Sequence, residues 1–380
     1  MSYIVWFNDP YPGDVRHLGG KNASLVTMTA AGMPVPPGFA VTADAYRRVF
    51  AESGLEETVG ALVEGLDVTD GAAVAVAGAA CRDAVTSVEL PDWLAGEIRA
   101  AYDRLAEHCN DETVGVAVRS SATSEDQPDA SFAGEHDTYL WVRGHDSVIE
   151  HVRRCWASLF TDRAITYRRE MGYADAGAAM SVGIQKMVTP RTAGVAFTLN
   201  PTNGDRSQVA IDASWGLGEA VVSGSVTPDN FLVDKVMGTV TSRTISPKHV
   251  EHRLGEDGRV VETEVEPERR DAQCLSDDEI RAVAALARRA EKHYGCPQDV
   301  EWALDAQLPD GENILLLQAR PETVWSRKPR TNPLNGVAKD TFRSIVATLL
   351  DGHHGHGVDT HGHVHPDAAE PAQDHARSVG

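Results

Sequence analysis

The chain of 380 residues has few cysteines. Cys81, Cys109, Cys155, Cys274 and Cys296 are odd in number, widely spaced and never in a C-x-x-C pair. That spacing speaks against a disulfide framework and against a structural zinc site. Basic residues are also in deficit: 35 Lys and Arg stand against 56 Asp and Glu, a formal net charge of −21. Such a field repels phosphate backbones and anionic bilayers, which argues against nucleic acid or a membrane surface as partner. No window approaches the ~20 apolar residues of a membrane span. The opening MSYIVWFNDP has neither a basic region nor a long apolar run, so a cytoplasmic protein is expected.

What is present is enough for a sizeable core. Hydrophobic residues make up 42% of the chain, and its length allows two or three packed subdomains. Residues 1 to about 110 read as mixed α/β, with a Pro-Gly segment (GMPVPPG, Gly32 to Gly38), a strand from Phe39 to Val41, and helices from Ala43 to Phe50 and Trp93 to His108. From about 111 to 245 the sequence is β-rich, broken by a helix expected over Val148 to Phe160. Neither period dominates, so the fold class is α+β. The clearest helix runs from Asp277 to Tyr294, with Ser276 as N-cap, Glu279 completing a capping box and Gly295 after the last turn.

Several segments carry chemistry. Val114, Val116 and Val118 deliver Arg119 into a loop of Ser120, Ser121, Thr123, Ser124 and Ser131 that closes at Gly134. Small hydroxyl residues let backbone approach a phosphate, and arginine supplies a planar cation. Lys21 follows Gly19 and Gly20 where a helix, Ala23 to Ala31, is expected to begin. The spacing is not that of a P-loop, and Asn22 stands where Ser or Thr would hold Mg²⁺. Gln185 to Val188 ends a strand whose edge either suits a base or belongs to an ordinary hairpin. Gly216-x-Gly218 lacks the third glycine of a dinucleotide fingerprint.

Near residue 300 two runs, DVEWALD (299 to 305) and NILLLQAR (313 to 320), flank a loop with Pro309, Asp310 and Gly311. This predicts a β-hairpin. Alternation turns Glu301 away from Val300, Trp302 and Leu304, and groups Gln318 and Arg320 with Leu316. A carboxylate and an amide oxygen suit Mg²⁺, with phosphates completing its shell. Beyond Trp325 the chain becomes basic and proline-marked, then helical over Val337 to Leu350. It ends in a tail holding seven of the 15 histidines, expected to be disordered; its histidines invite divalent metals or are merely solvated.

In order, GGKNASL, GMPVPPGF, VAVRSSATSED, SFAG, QKMV, RTAGVAFTLNP, DASWGLGEAVVSG, TPD, DVEWA and LLLQARPET resemble the ATP-binding (pyruvate/phosphate dikinase N-terminal, phosphoenolpyruvate synthase-like) domain family. That family also occurs in rifampin phosphotransferase and phenylphosphate synthase subunits. The resemblance spans roughly residues 10 to 325. It implies an ATP-grasp fold: a first subdomain over 1–200, a second over 201–326, and a linker helix and tail over 327–380. It also implies ATP and Mg²⁺ as ligands. Lys21, Arg119 and Arg320 would contact phosphate as the catalytic cations, Gly134 and Thr138 would cover it, Gln185 and Met187 would sit at the base, and Glu301 and Gln318 would hold the metal. The family's swivelling-domain motif, TxxGGxxxHxA, is not found in the chain. The resemblance therefore implies a dikinase subunit phosphorylating a histidine on a partner protein in trans. The alternatives are a self-contained small-molecule kinase or a non-catalytic ATP-binding regulator.

Overall fold

The computed structural model describes residues 2–123, 138–171, 178–255 and 258–325. The described residues fall within one compact unit, Met1–Arg327. The helix expected over Val337 to Leu350 and the histidine-rich tail lie outside the described residues.

Along the chain run β1 (Ile4–Trp6), α1 (Val15–Ala30), β2 (Gly38–Val41), α2 (Ala43–Ser53), α3 (Leu55–Val63), α4 (Gly71–Ser87), α5 (Asp92–Cys109), β3 (Val116–Ala122), β4 (Thr138–Val142), α6 (His145–Ala157), α7 (Asp162–Glu170), β5 (Met180–Lys186), β6 (Pro190–Phe197) and β7 (Gln208–Trp215). Then follow α8 (Glu219–Val222), β8 (Asp229–Asp234), β9 (Val240–Thr244), β10 (Val250–Leu254), β11 (Val260–Glu264), α9 (Pro267–Arg270), α10 (Asp277–Tyr294), β12 (Gln298–Asp305) and β13 (Ile314–Pro321). This is the expected α+β mixture. One sheet has the order β1-β2-β5-β3-β4, another β13-β12-β6-β7-β8-β9, and β10-β11 stand as a separate hairpin. The second sheet therefore begins at β6, before the expected division at residue 200. Among the described residues, no single helix is long and apolar enough to cross a membrane.

Each sheet has its own core. Val116, Val118, Val182 and Ile184 of the first sheet pack with α2, α5 and α6 around Tyr46, Trp156 and Tyr102. The second sheet packs Val209, Ile211, Phe231, Val300 and Trp302 against Ile280, Val283 and Ala287 of α10. Leu18, Leu25, Val26 and Met28 of α1 join this second core, although α1 also abuts β3 and β5 of the first sheet. A single helix is thus shared by both halves.

The boundaries of α10 match the capping signals. Ser276 Oγ accepts from Glu279 N–H, the Glu279 carboxylate accepts from Ser276 N–H at 2.7 Å, and Gly295 closes the helix at φ 70°. Glu279 also receives Arg191 at 2.8 Å, which ties the helix start to β6. Burial alone would raise the Glu279 carboxyl, but the bonds from Ser276 and Arg191 outweigh it and hold it below its ordinary 4.5. A depressed carboxyl stabilises the fold above its ordinary value and loses that contribution as pH falls through the folded value. Glu279→Gln is therefore expected to cost about 1 kcal/mol at neutral pH. In denaturant titrations the difference from the unmodified protein should vanish in acid; a loss independent of pH would contradict this account.

Three local expectations are corrected. The helix holding Lys21 does not begin at Ala23: α1 starts at Val15, capped by Asp14, and is kinked at Gly19 (φ 65°, ψ 169°). The glycine pair thus breaks a helix in its middle, and Lys21 lies just after the break. The helix expected over Val148 to Phe160 starts at His145, and its last three residues, Ser158–Phe160, tighten into a 3₁₀ turn. The third correction concerns the β12–β13 hairpin and shapes the site.

Candidate functional site

Side chains on β3 alternate between core and cleft. Val116, Val118 and Ala122 enter the first core, while Arg119 points across to the second sheet. Its Nη2 donates to Gln318 Oε1 at 2.8 Å and lies 3.5 Å from Glu301 Oε2, and its Nη1 donates to Leu317 O at 3.2 Å. One guanidinium therefore joins the two sheets, with only 17% of its side chain exposed. A planar fork with several donors suits such a multidentate contact.

The acceptors converge because of a β-bulge. Glu301 pairs directly with Gln318, but Trp302 pairs with Leu316, so Leu317 is an extra residue on β13. The bulge shifts the alternation. Leu316 falls into the second core beside Trp302, whereas Leu317 packs on the other side with Ala303 and Val188. Leu316 therefore does not share a face with Gln318 and Arg320, as strict period-2 reading expects. Glu301 and Gln318 are brought together on the cleft side.

Asp299 and Arg320 form the next cross-strand pair, with Arg320 Nε 3.4 Å from Asp299 Oδ2. Burial pushes the Asp299 carboxyl up to about 6; Arg320 opposes the shift, while Glu322 and Glu301 add to it. Its Oδ1 is buried without a hydrogen-bond partner. Sequence reading passed over this carboxylate, whose signal was its place two residues before Glu301.

Lys21 reaches the same place from α1. Its Nζ donates to Ser120 O at 3.5 Å, and Lys21, Asn22, Leu25, Arg119, Leu317 and Gln318 line one crevice. The kink demands glycine, because a Cβ at Gly19 would lie 2.2 Å from Ser121 O, at φ +65°. Gly19→Ala is expected to lower stability by roughly 1–3 kcal/mol through strain and displacement of the helix from β3. A thermal melt unchanged from the unmodified protein would contradict that.

The remaining expected residues are placed as follows. Thr138 opens β4 directly across from Arg119 and is exposed. Gly134, Ser124 and Ser131 lie outside the described residues. Gln185 is buried, its Nε2 3.4 Å from Pro36 O. Met187 lies just past β5; its N–H donates to Gly115 O at 2.8 Å and its side chain packs with Ala117 and Leu217. Lys21, Arg119, Glu301 and Gln318 thus meet in one polar cleft, Arg320 stands with Asp299 on the next rung of the hairpin, and Met187 lies in an apolar patch with Ala117 and Leu217.

This cluster lies between two sheets that share helix α1 in an α+β protein. Residues 15–340 match the family model described as pyruvate phosphate dikinase, AMP/ATP-binding domain. The chain belongs to that family. It is 45% identical over 85% of its length to a probable phosphoenolpyruvate synthase of Methanothermobacter thermautotrophicus, covering 46% of that protein. Phosphoenolpyruvate synthases of Pyrococcus furiosus (40% identical, 85% of this chain, 44% of the relative) and Pseudomonas aeruginosa (43%, 87% and 43%) are similar too. The chain spans less than half the length of these relatives.

Proposed function

We propose that the chain is an ATP-grasp phosphotransferase domain or subunit that binds MgATP between its two lobes and transfers a phosphoryl or pyrophosphoryl group to a histidine on a partner domain in trans. The observation that carries the reading is the Arg119 bridge, which gathers two cations and two hard oxygen ligands at one point between the sheets.

The donor set suits magnesium. Glu301 Oε2 and Gln318 Oε1 both face the same cationic nitrogen of Arg119, so the pair is already arranged around a positive charge. No group of three His, Cys, Asp or Glu capable of holding a metal gathers among the described residues. A cation held by Glu301 and Gln318 would thus take its other ligands from water and phosphate, as Mg²⁺ does in nucleotide sites. When bound, the ion would offset charge on the phosphate oxygens.

The protein's own residues would do the rest. Lys21, Arg119 and Arg320 would neutralise and orient the polyphosphate, and such pre-placed charge is the main protein contribution to phosphoryl transfer. Arg119 would leave Glu301 and Gln318 for phosphate when nucleotide enters. Thr138, with Gly134, would cover the phosphates, and Gln185 and Met187 would border the base. A cytoplasmic location agrees with this chemistry.

The test is AMP formation. The purified chain would be incubated with MgATP, alone and with a polypeptide comprising the part of a phosphoenolpyruvate synthase relative that this chain does not match. AMP should appear only when both are present. Formation of AMP or ADP by the chain alone would contradict transfer in trans, and ATP binding without turnover in either arm would contradict catalysis.

A further inference from the structure

We propose that Asn22 is a positioning residue, which acts through Lys21 by fixing the root of that lysine against the strand that carries Arg119. The inference rests on the reading of Lys21 as a phosphate ligand.

Asn22 is a polar side chain that no catalytic role uses, yet it is only 1% exposed. Although Asn22 borders the crevice with Lys21 and Arg119, its side-chain amide is bonded within the first sheet. Its side-chain Nδ2 donates to Ser181 Oγ at 3.0 Å, and Ser181 Oγ in turn donates to Val41 O at 2.8 Å, while the Asn22 backbone N–H donates to Ser121 Oγ at 3.2 Å. The wedge runs through the first sheet from α1 across β5 to β2. A polar network of this kind is costly to bury unless its members are satisfied, and it is rigid when they are.

The sheet is shaped to receive it. A Cβ at Gly183 would stand 2.3 Å from Asn22 Oδ1, so any other residue there would expel the asparagine. On the preceding turn, Gly19 lies against Ser121 backbone as closely as its missing Cβ allows. Lys21 therefore sits between two anchors: Gly19 rests on Ser121, two residues beyond Arg119, and the Asn22 side-chain amide holds Ser181, which pairs with Ser121 across β3 and β5. A lysine stem is flexible and carries a compact charge. Fixing its Cα relative to Arg119 leaves fewer arrangements to lose when both cations meet one polyphosphate.

The test compares ATP with adenosine, which has the same base and sugar and no phosphate, by calorimetry on the full chain. Asn22→Ala should weaken ATP binding roughly tenfold, the scale of a broken buried hydrogen-bond set, and leave adenosine binding unchanged. In a Lys21→Ala background the same substitution should add less than about twofold, because coupled residues are not additive. Equal losses for ATP and adenosine, or a full Asn22→Ala effect without Lys21, would overturn the proposal. Should Asn22→Ala fail to fold, Ser181→Ala removes the partner hydroxyl and is judged by the same two criteria. An unmodified chain that does not bind ATP would defeat the functional reading itself, whereas normal ATP binding with an indifferent Asn22→Ala defeats only this inference.

Discussion

Arg119→Ala is expected to lower MgATP turnover, assayed with the partner polypeptide, by roughly a thousandfold, the scale of removing a transition-state arginine in other phosphoryl transfers. The same substitution should have the opposite effect on the metal. Without nucleotide, Arg119 occupies both Gln318 Oε1 and Glu301 Oε2, so its removal frees that oxygen pair for a cation. Mn²⁺ binding to the nucleotide-free chain, followed by electron paramagnetic resonance of the free ion, should therefore tighten in Arg119→Ala. Binding weakened in the variant would mean that Arg119 supports the metal ligands instead of competing for them. Because catalytic and metal effects run in opposite directions, general damage to the fold cannot produce both.

The second large effect concerns stability. Asp229, in the Thr227-Pro228-Asp229 run, is fully buried with Lys248: Lys248 Nζ lies 2.6 Å from Asp229 Oδ1, and both side chains are 0% exposed. Asp229 also accepts from Ser246 N–H at 3.0 Å and Cys274 N–H at 2.9 Å. The pair ties β8 to the segment before β10 and to the approach to α10. The same burial, with the Asp229 charge, pushes the Cys274 thiol well above its usual range. Lys248→Met should destabilise the chain by about 3–5 kcal/mol in denaturant titration, because it leaves a buried carboxylate without its counter-ion. Replacing both members, as Asp229→Leu with Lys248→Met, should cost less than Lys248→Met alone. A single-variant loss below about 1 kcal/mol would place the pair with surface ion pairs and contradict its burial.

Much of this arrangement was legible in the sequence where local rules act alone. The capped α10 and the β12–β13 hairpin that carries Glu301, Gln318 and Arg320 follow from caps, turn residues and period-2 alternation. The bulge at Leu317 was not legible, because a run of leucines from Leu315 to Leu317 gives no mark of where the alternation slips. The Gly19 kink was hidden for a related reason: helical residues stand on both sides, and the break serves a contact with Ser121, a residue distant in sequence. Helix α4, GAAVAVAGAACRDAVTS, escaped notice since small apolar residues on every side give no contrasting stripe. From the sequence Asn22 stands out only as the residue where Ser or Thr would hold a metal; its surroundings depend on Gly183 and Ser181, which only the fold brings near.

The central claim, a nucleotide cleft between the two lobes, is tested most directly by titrating MgATP into the purified chain in a calorimeter, beside Glu301→Ala and Arg320→Ala. The account predicts saturable heat that needs Mg²⁺ and is lost or greatly weakened in both variants. Absence of heat from the unmodified chain, or equal binding by all three proteins, would contradict it.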